Sequence, residues 1–263
     1  MTASLSLSLQ GKVAVITGGA RGIGHAIAST FLAQGAEVVI CGRTAPESLP
    51  EGGGREASFA ACDVRDPAQV DAMIDAVAGR YGRLDVLVNN AGGSPQADAA
   101  TASPRFSERI VALNLLGPLY AAQAAHRWMS RQDEGGAIVN IASISGVRPS
   151  PGTAAYGAAK AGLLSLTESL AQEWGPKVRV NAIVVGLIQT ADAAATYGSP
   201  AAQQAIADSL PLKRMGLAED VAAAALYLVS PLSAYVSGAR LQVHGGGERP
   251  AFLDILARHG ASQ

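Results

Sequence analysis

Three side chains between residues 141 and 160 could together move a proton: those of Ser143, Tyr156 and Lys160. Tyr156 and Lys160 are four residues apart in an alanine-rich segment, and this spacing places both side chains on one face of a helix. Ser143 comes directly after the apolar run 137–142, which predicts a buried strand followed by a loop. A hydroxyl at the end of that strand can therefore face a phenol and an ammonium group on the next helix.

Such a trio suits proton transfer to or from an alcohol or carbonyl oxygen. The pKa of a free phenol is about 10, and a neighbouring cation such as Lys160 lowers that pKa and favours the phenolate. The Ser143 hydroxyl can donate a hydrogen bond to a substrate oxygen on which negative charge develops. The Tyr-x-x-x-Lys spacing alone also occurs by chance on surface helices, so its interpretation depends on the rest of the chain.

Short apolar runs alternate with helical patterns along the chain, which is typical of a doubly wound α/β fold with a parallel sheet. The first unit is a strand at 12–17, a helix from Ile23 to Gly35 and a second strand at 37–41. The remaining predicted strands span 56–62, 84–88, 137–142, 178–185 and 240–244, and the remaining helices span about 70–81, 103–131, 153–174 and 219–229. This alternation predicts helices on both faces of the sheet.

We expect one domain over residues 1–263, because the chain contains no Pro/Ser-rich linker, internal repeat or low-complexity tract. Residues 1–8 are predicted to be a flexible lead-in that lacks the features of a signal peptide. The alanine-rich segment 187–217, with a Gly-Ser-Pro break at 198–200, is predicted to be a mobile cover over a site. Residues 248–263 are predicted to form a C-terminal tail.

Charge and composition argue against several classes of partner. The net charge is -1 and the basic residues are scattered, which argues against binding to nucleic acid or to a membrane surface. The longest apolar run, 221–229, is too short to span a membrane. Cys41 and Cys62 each end an apolar run and suit buried thiols in a reducing cytoplasm, and the four histidines lack ligand spacing. We therefore expect a cytoplasmic protein without a metal site.

A glycine-rich turn, TGGARGIG, lies between the first strand and the first helix and contains Gly18, Gly22 and Gly24. Because glycine has no Cβ, a pyrophosphate can approach the backbone amides at the helix N-terminus, where the helix dipole favours negative charge. A tight turn without a ligand could have the same sequence. Its place between a strand and a helix favours a dinucleotide site.

The end of the second strand bears on the choice between NAD and NADP. An NAD site usually has a carboxylate there, which binds the ribose hydroxyls, whereas an arginine suits a 2′-phosphate. Gly42 stands at that position, Arg43 follows it, and Arg21 in the glycine-rich turn could join Arg43. We therefore expect NADP(H) as the preferred cofactor, with NAD(H) possible. Asp63 and Val64 follow the third strand and are predicted to contact the adenine.

Two further polar stretches remain open to interpretation. The stretch Asn-Asn-Ala-Gly at 89–92 ends the fourth strand and either lets the backbone pass close to a ligand or forms a polar turn. Asn114 lies among apolar residues of the predicted helix 103–131, where a satisfied structural role is the more common one. Gly117 and Pro118 suggest a local kink nearby.

With these residues assembled, the chain resembles the classical short-chain dehydrogenase/reductase family over roughly residues 8–247. The turn that begins at Thr17 resembles the family's cofactor turn, and the stretch 89–92 resembles its second motif. The residues that match the catalytic tetrad in order and spacing are Asn114, Ser143, Tyr156 and Lys160. The residues that match the segment after the substrate loop are Pro211, Arg214, Gly216, Glu219 and Asp220.

The resemblance implies a Rossmann-type sheet of about seven strands in the order 3-2-1-4-5-6-7, and hydride transfer between nicotinamide and a secondary alcohol or ketone. It implies that Tyr156 is the general acid in reduction and the base in oxidation, while Ser143 polarises the substrate oxygen. Lys160 would bind the nicotinamide ribose and lower the pKa of Tyr156, and Asn114 would hold a water that links Lys160 to solvent. The cofactor contacts expected from the residues and the resemblance together are Gly18, Arg21, Gly22, Ile23, Gly24, Arg43, Asp63, Val64, Asn90, Ala91, Gly92, Tyr156, Lys160, Gly186, Ile188 and Thr190.

The substrate and the assembly remain open at this point. A 3-oxoacyl thioester reductase is one possibility, and an NAD-dependent polyol, steroid or hydroxyacyl dehydrogenase is another; a non-catalytic nicotinamide-binding regulator is the alternative outside enzymes. An acidic carrier protein would favour a basic patch, for which Arg127, Arg131 and Arg148 are candidates. The resemblance implies a homotetramer that packs through helices 103–131 and 153–174.

Three positions depart from the family pattern. Val185 replaces the usual proline before Gly186, His244 replaces a common aspartate in the last strand, and the tail runs past the usual end of the family. The first departure could loosen the start of the substrate loop, and the tail could cover the site of a neighbouring subunit. None of the three involves the tetrad.

Overall fold

The computed structural model describes residues 6–190 and 193–260. Its strands are β1 Val13–Thr17, β2 Glu37–Gly42, β3 Glu51–Gly52, β4 Arg55–Glu56, β5 Ser58–Ala61, β6 Val86–Asn89, β7 Gly136–Ser143, β8 Val178–Val185 and β9 Arg240–Val243. Seven of them form one sheet in the order β5-β2-β1-β6-β7-β8-β9, and every neighbouring pair in it is parallel. The predicted strand order is confirmed.

Helices cover both faces of this sheet, as expected. They are α1 Gly22–Ala33, α2 Pro67–Tyr81, α3 Pro104–Val111, α4 Gly117–Met129, α5 Ala154–Trp174, α6 Ala193–Tyr197, α7 Pro200–Ser209, α8 Ala218–Val229 and α9 Ala251–His259. Helices α1 and α8 share one apolar core with one face of the sheet, and α2, α4 and α5 share the core on the other face. Central strands such as β1 and β6 are buried on both faces, because parallel crossovers place helices on each side.

The predicted helix 103–131 is interrupted. A π-helical turn at Ala112–Leu116 separates α3 from α4, so the helix widens by one residue around Asn114, directly before Gly117 and Pro118. The segment 187–217, predicted as a mobile cover, contains the two short helices α6 and α7 in its described part, and the tail contains α9.

The connection between β2 and β5 contains a small hairpin that the sequence analysis did not predict. Strands β3 and β4 pair in antiparallel fashion around Gly53 and Gly54, whose φ angles are 58° and 74°. Both angles lie in the left-handed region that glycine adopts without strain. The predicted third strand 56–62 is consequently shorter, because its first residue belongs to this hairpin.

The carboxyl ends of β1, β6, β7 and β8 meet at one edge of the sheet, where α1 and α5 begin. Ligands of open α/β sheets bind outside this edge. The buried thiols of Cys41 and Cys62 lie next to the edge on the α2 side, and neither is in a disulfide. Among the described residues, every helix falls short of the length or hydropathy that a membrane-spanning helix needs.

Candidate active site

Ser143, Tyr156 and Lys160 come together at the carboxyl edge of the sheet. Ser143 is the last residue of β7, and its Oγ accepts the Ser145 N–H at 3.1 Å. Helix α5 begins at Ala154, so Tyr156 lies in its first turn and Lys160 lies one turn further on. The Ser143 hydroxyl hydrogen-bonds to the phenol of Tyr156. The strand end and the helix start therefore bring the three predicted side chains to one place.

Burial raises the pKa of the Tyr156 phenol, and the hydrogen bond from Ser143 opposes that rise. This direction is the reverse of the one expected from a neighbouring lysine. The reason is geometric: Lys160 Nζ lies 5.7 Å from the centroid of the Tyr156 ring and donates to the carbonyl of Ile141 at 2.7 Å. Desolvation of the phenol is therefore the main cause of the change in its pKa.

Lys160 is only 3% exposed, which is unusual for a lysine. Burial lowers its pKa to about 8, because a charged ammonium group loses its hydration inside the protein. Its Nζ donates a hydrogen bond to the carbonyl of Ile141, two residues before the end of β7. At neutral pH the group is still mostly protonated and supplies a buried positive charge beneath the phenol.

Asn114 lies in the π-turn and is fully buried. Its Nδ2 donates to the carbonyls of Ile110 and Gly93, both at 2.9 Å, and its Oδ1 accepts the Gly93 N–H at 2.9 Å. The amide therefore fixes the loop after β6. A sequence period of 3.6 residues does not reveal the π-turn that aims this side chain.

Gly92 packs against the side chains of both Asn114 and Lys160. A Cβ on Gly92 would lie 2.7 Å from Asn114 Oδ1 and 3.3 Å from Lys160 Nζ. Only a residue without a side chain leaves both groups in place. The stretch 89–92 therefore does more than form a polar turn, because its last residue is packed against two members of the predicted tetrad.

A buried chain of hydrogen bonds holds α5 against the sheet behind these residues. Asn89 Nδ2 donates to Asn140 Oδ1 at 2.9 Å, and Asn140 Nδ2 donates to Thr167 Oγ1 at 2.9 Å. Thr167 in turn donates to the carbonyl of Leu163 at 2.7 Å. The three polar side chains are each at most 2% exposed, and Asn89 Oδ1 has no partner among the described residues. This chain fixes the distance between β7 and the helix that carries Tyr156 and Lys160.

The glycine-rich turn is braced by β6. Asn90 Nδ2 donates to the carbonyls of Thr17 and Gly18, both at 3.0 Å, and Thr17 Oγ1 accepts the N–H groups of Asn90 and Ala91 at 3.0 Å. A Cβ on Gly24 would lie 2.4 Å from Asn90 Nδ2. The side chain of Asn90 thus shapes the turn, and Thr17, which the candidate set omitted, is the hydroxyl that ties the two motifs together.

This turn fits a dinucleotide pyrophosphate. Gly18 and Gly22 have φ angles of 65° and 54°, and a Cβ on Gly22 would meet nothing within 4 Å, so the backbone borders open space there. Arg21 is the N-cap residue of α1, and its side chain makes no capping hydrogen bond. The first amides of the helix, including that of Ile23, are thus left for an anion at its positive end.

The expected adenosine end lies at the carboxyl ends of β2 and β5. Arg43 is exposed beside Gly42, and a Cβ on Gly42 would approach other atoms only to 3.9 Å. Asp63 is paired with Arg65, whose Nε lies 2.9 Å from Oδ1. The hydrogen bond from Arg65 is the main cause that lowers the pKa of Asp63, and the charge of Arg43 adds to it. Arg65 is a third cation here that the sequence analysis missed.

The start of the segment after β8 forms a further part of the candidate site. Ile188 forms a parallel bridge with Gly216, and Gln189 N–H donates to the Gly216 carbonyl at 2.8 Å. Gly186 packs against His244, because a Cβ there would lie 2.5 Å from the Cβ of His244. Thr190 is the last residue described before the gap at 191–192, and its carbonyl accepts the Ala193 N–H.

The mouth of the site contains polar residues from distant parts of the chain. Tyr197, the last residue of α6, lies close enough to Tyr156 to raise the pKa of its phenol. Burial raises the pKa of Tyr197 itself, and the charge of Glu248 contributes. Glu248 forms an ion pair with Arg148, whose Nη2 donates to Glu248 Oε1 at 2.9 Å. Glu248 had no sequence signal, since it comes from an irregular segment.

Comparison with known proteins gives matches over most of the chain. A family model described as enoyl-(acyl carrier protein) reductase matches residues 18–248. A 3-oxoacyl-[acyl-carrier-protein] reductase of Chlamydia trachomatis is 38% identical over 245 residues, which cover 90% of this chain and 98% of that protein. A D-threitol dehydrogenase of Mycolicibacterium smegmatis is 37% identical, with 94% of this chain and 96% of the relative covered.

A solved structure has the same fold. The aldohexose dehydrogenase of Thermoplasma acidophilum, in ligand-free form, superposes with a TM-score of 0.84 at 32% identity and covers 90% of this chain and 94% of its own. The relatives named here are oxidoreductases by their names, although they differ in substrate.

Proposed function

This chain belongs to the short-chain dehydrogenase/reductase family, whose members are oxidoreductases that act on CH–OH or C=O groups with a nicotinamide cofactor, and from that premise we propose that it is an NADP(H)-dependent enzyme that interconverts secondary alcohols and ketones. The observation that carries the proposal is the convergence of Ser143, Tyr156 and Lys160 at the carboxyl edge of the sheet, beside a glycine-rich turn with an open helix N-terminus.

In this proposal Tyr156 moves the proton. Its hydroxyl protonates the substrate oxygen in reduction and accepts the alcohol proton in oxidation. The Ser143 hydroxyl donates a hydrogen bond to the same oxygen and stabilises the charge that develops there. The nicotinamide, when bound, supplies or accepts the hydride. Because burial raises the pKa of Tyr156, its hydroxyl retains the proton that reduction requires.

Lys160 and Asn114 support this proton transfer. The buried ammonium group of Lys160 favours the phenolate once the phenol has lost its proton, and it can bind the ribose hydroxyls of the cofactor. Asn114 hydrogen-bonds to Gly93 and thereby fixes the loop whose Gly92 packs against both Asn114 and Lys160. Since its amide is already bonded to backbone groups, a water between Asn114 and Lys160 would rely on the remaining lone pair of Oδ1 or on the backbone of the π-turn.

The expected cofactor contacts fall into groups along the carboxyl edge of the sheet. Gly18, Gly22, Ile23 and Gly24 would hold the pyrophosphate, while Ala91 and Gly92 would contact the nicotinamide ribose. In the segment after β8, Gly186, Ile188 and Thr190 would contact the nicotinamide. Asp63 and Val64 would contact the adenine. Arg43, with Arg21, would bind the 2′-phosphate, because no carboxylate at the end of β2 would repel that group.

The test compares kcat/KM for NADPH and NADH in the wild type, in Arg43→Ala and in Arg55→Ala. Arg55 is a matched control, because it pairs with Glu37 at the opposite edge of the sheet. Loss of a charge-assisted contact to phosphate should lower kcat/KM for NADPH about tenfold or more in Arg43→Ala and leave NADH unchanged. Equal or better use of NADH by the wild type, or an unchanged preference in Arg43→Ala, would refute the NADP(H) assignment.

The relatives support more than one substrate class for this site. One is named as a 3-oxoacyl thioester reductase, and the others are named for a polyol and an aldohexose. A 3-oxoacyl thioester is therefore a second candidate beside simple ketones and alcohols. Comparison of kcat/KM for acetoacetyl-coenzyme A with kcat/KM for a plain ketone distinguishes the two substrate classes.

We further propose a cytoplasmic homotetramer. Helix α5 exposes small side chains at Ala154, Ala158 and Ala161, which would let a helix of another copy approach closely. Light scattering that gives a monomer mass at micromolar concentration would refute the tetramer. Recovery in the membrane or extracellular fraction would refute the location.

A further inference from the structure

The ion pair at the mouth of the site joins two segments 100 residues apart. Arg148 lies between Ser143 and the start of α5, and its backbone N–H donates to the carbonyl of Ile144 at 3.1 Å. Glu248 comes directly after the glycines at 245–247. Both the Nε and the Nη2 of Arg148 contact the carboxylate, so the pair is bidentate. This geometry orients the carboxylate more firmly than a single contact would.

The backbone before Glu248 has little freedom. Gly245, Gly246 and Gly247 have φ angles of 63°, 94° and 82°, a run that other residues would adopt only with strain. A Cβ on Gly246 would lie 2.7 Å from the Cγ of Pro211, and the Leu212 N–H donates to the Gly245 carbonyl. The chain is therefore held against the end of the segment 187–217. Glu248 reaches the mouth because of this turn.

The pair lies over the candidate active site rather than at a remote surface. Glu248 lies near enough to the phenol of Tyr197 to affect its ionisation, and Tyr197 affects Tyr156 in the same way. Arg148 follows the 3-10 turn that begins directly after Ser143. These contacts place the pair on the side of Tyr197 that lies away from the Tyr156 phenol, near the residues that would hold the substrate.

The other two arginines that could have made the mouth basic lie elsewhere. Arg127 is near the end of α4, where its Nη2 donates to Asp71 of α2 at 2.7 Å. Arg131 follows the end of α4, just before Gln132, whose side chain bonds to Leu84 at the amino edge of the sheet. Of these three candidates for a basic patch, Arg148 alone is at the mouth, and Glu248 neutralises it.

We propose that Glu248 determines the charge of the substrates this enzyme accepts. By pairing with Arg148 it offsets the charge of that cation, so the site favours uncharged ketones and alcohols over anionic substrates, including thioesters of anionic carriers. The inference rests on the proposed ketone reductase activity and narrows its substrate class. It separates this chain from a carrier-protein reductase, for which a free cation at the mouth would help binding.

The test uses two substrates that share one keto group. Ethyl 3-oxobutanoate is neutral and 3-oxobutanoate is an anion. The kcat/KM of each substrate with NADPH is measured for the wild type and for Glu248→Gln. The substitution frees the charge of Arg148 and keeps the side-chain volume. We expect kcat/KM for the anion to rise about three- to tenfold and kcat/KM for the ester to change less than about twofold. Acetoacetyl-coenzyme A should gain in the same way as 3-oxobutanoate.

Glu168→Gln is the matched control. Glu168 forms the same kind of bidentate pair with Arg240, and the side chains of the two pairs have similar exposure, 38% and 40% at the mouth against 42% and 48%. This variant should behave like the wild type with both substrates. Adding Arg148→Met to Glu248→Gln should cancel the gain for the anion, and so should salt near 1 M, which screens exposed charges.

Two results separate failure of this inference from failure of the proposed function. If the ester is reduced but Glu248→Gln leaves the ratio of the two kcat/KM values unchanged, the inference is wrong and the activity stands. If neither substrate is reduced by any variant, the proposed activity fails for this substrate class. In that case the affinity of 3-oxobutanoate for the two proteins with NADPH, measured by calorimetry, decides the inference: equal affinity in wild type and Glu248→Gln overturns it.

Discussion

The interior and the mouth of the site are built in different ways. At the interior, Tyr156 and Lys160 come from one helix and Ser143 from the adjacent strand, and behind them a fully buried chain of hydrogen bonds joins β6, β7 and α5. At the mouth, Arg148 and Glu248 come from irregular segments and remain about 40% exposed. Regular elements thus fix the interior, whereas loops supply the mouth.

This difference in construction determines which changes the protein can tolerate. A shift of a few tenths of an ångström at the interior misplaces a proton donor, because close packing leaves no space to absorb it. A change at the mouth alters an exposed charge, which typically contributes about 1 kcal/mol or less. Changes at the interior should therefore affect kcat, and changes at the mouth should affect the choice of substrate.

The largest effect is expected from removal of the Tyr156 hydroxyl. Tyr156→Phe keeps the packing of the ring but leaves no group to exchange a proton with the substrate oxygen, so kcat should fall about a thousandfold or more. Affinity for NADPH should change little. Steady-state kinetics and calorimetry measure the two quantities, and Tyr235→Phe, at a fully exposed phenol, is the control. Turnover near the wild-type rate would remove Tyr156 from the mechanism.

The next largest effect is expected at Gly92. In Gly92→Ala the new methyl group would lie 2.7 Å from Asn114 Oδ1 and 3.3 Å from Lys160 Nζ, so one of them must move. We expect kcat to fall about a hundredfold, because misplacement of supporting groups by an ångström costs about that much. Gly79→Ala is the control, since a Cβ there meets nothing within 4 Å on α2. Unchanged kcat in Gly92→Ala would show that the interior can absorb a methyl group without moving a proton donor, and that it is not packed more tightly than the mouth.

Lys160 should lower stability at neutral pH. Its pKa falls from 10.5 when unfolded to about 8 in the folded protein, so the unfolded chain binds more protons between these pH values and stability rises with pH there. That fall corresponds to about 3 kcal/mol. In Lys160→Met the charge is absent, so denaturation by urea at pH 7 to 10.5 should show the wild type gaining stability relative to the variant as pH rises. A constant difference across this range would contradict a buried, partly discharged lysine.

The sequence predicts the interior well because its information is local. A four-residue spacing in an alanine-rich segment suffices to place Tyr156 and Lys160 on one face of a helix, and an apolar run suffices to end a strand at Ser143. The parallel sheet likewise follows from the alternation of strands and helices, whereas the strand order was implied by the resemblance to the family. The β3–β4 hairpin also had a local signal, the adjacent Gly53 and Gly54, that was overlooked.

Other features have no local signal. The π-turn around Asn114 depends on packing between α3, α4 and the neighbouring loop, and hydrophobic periodicity is the same with or without it. The pairing of Arg148 with Glu248 requires two loops to meet in space. The direction of the pKa change at Tyr156 depends on how deeply the phenol is buried, which spacing alone does not give. These features were therefore visible only in the structure.

The smallest effect is expected from Tyr197→Phe, at the boundary between the two regions. Besides burial, the phenolate form of Tyr197 raises the pKa of Tyr156 because two neighbouring negative charges repel each other, so replacement of Tyr197 by Phe should lower that pKa. In alcohol oxidation Tyr156 must lose its proton, so the rate rises with pH through its pKa. The rising limb of the pH profile should thus move to lower pH, while kcat on the plateau stays within about threefold. A pH series of kcat with NADP and a secondary alcohol measures both. A shift to higher pH, or a large loss of plateau kcat, would mean that Tyr197 takes part in the proton transfer and that the interior extends into the mouth.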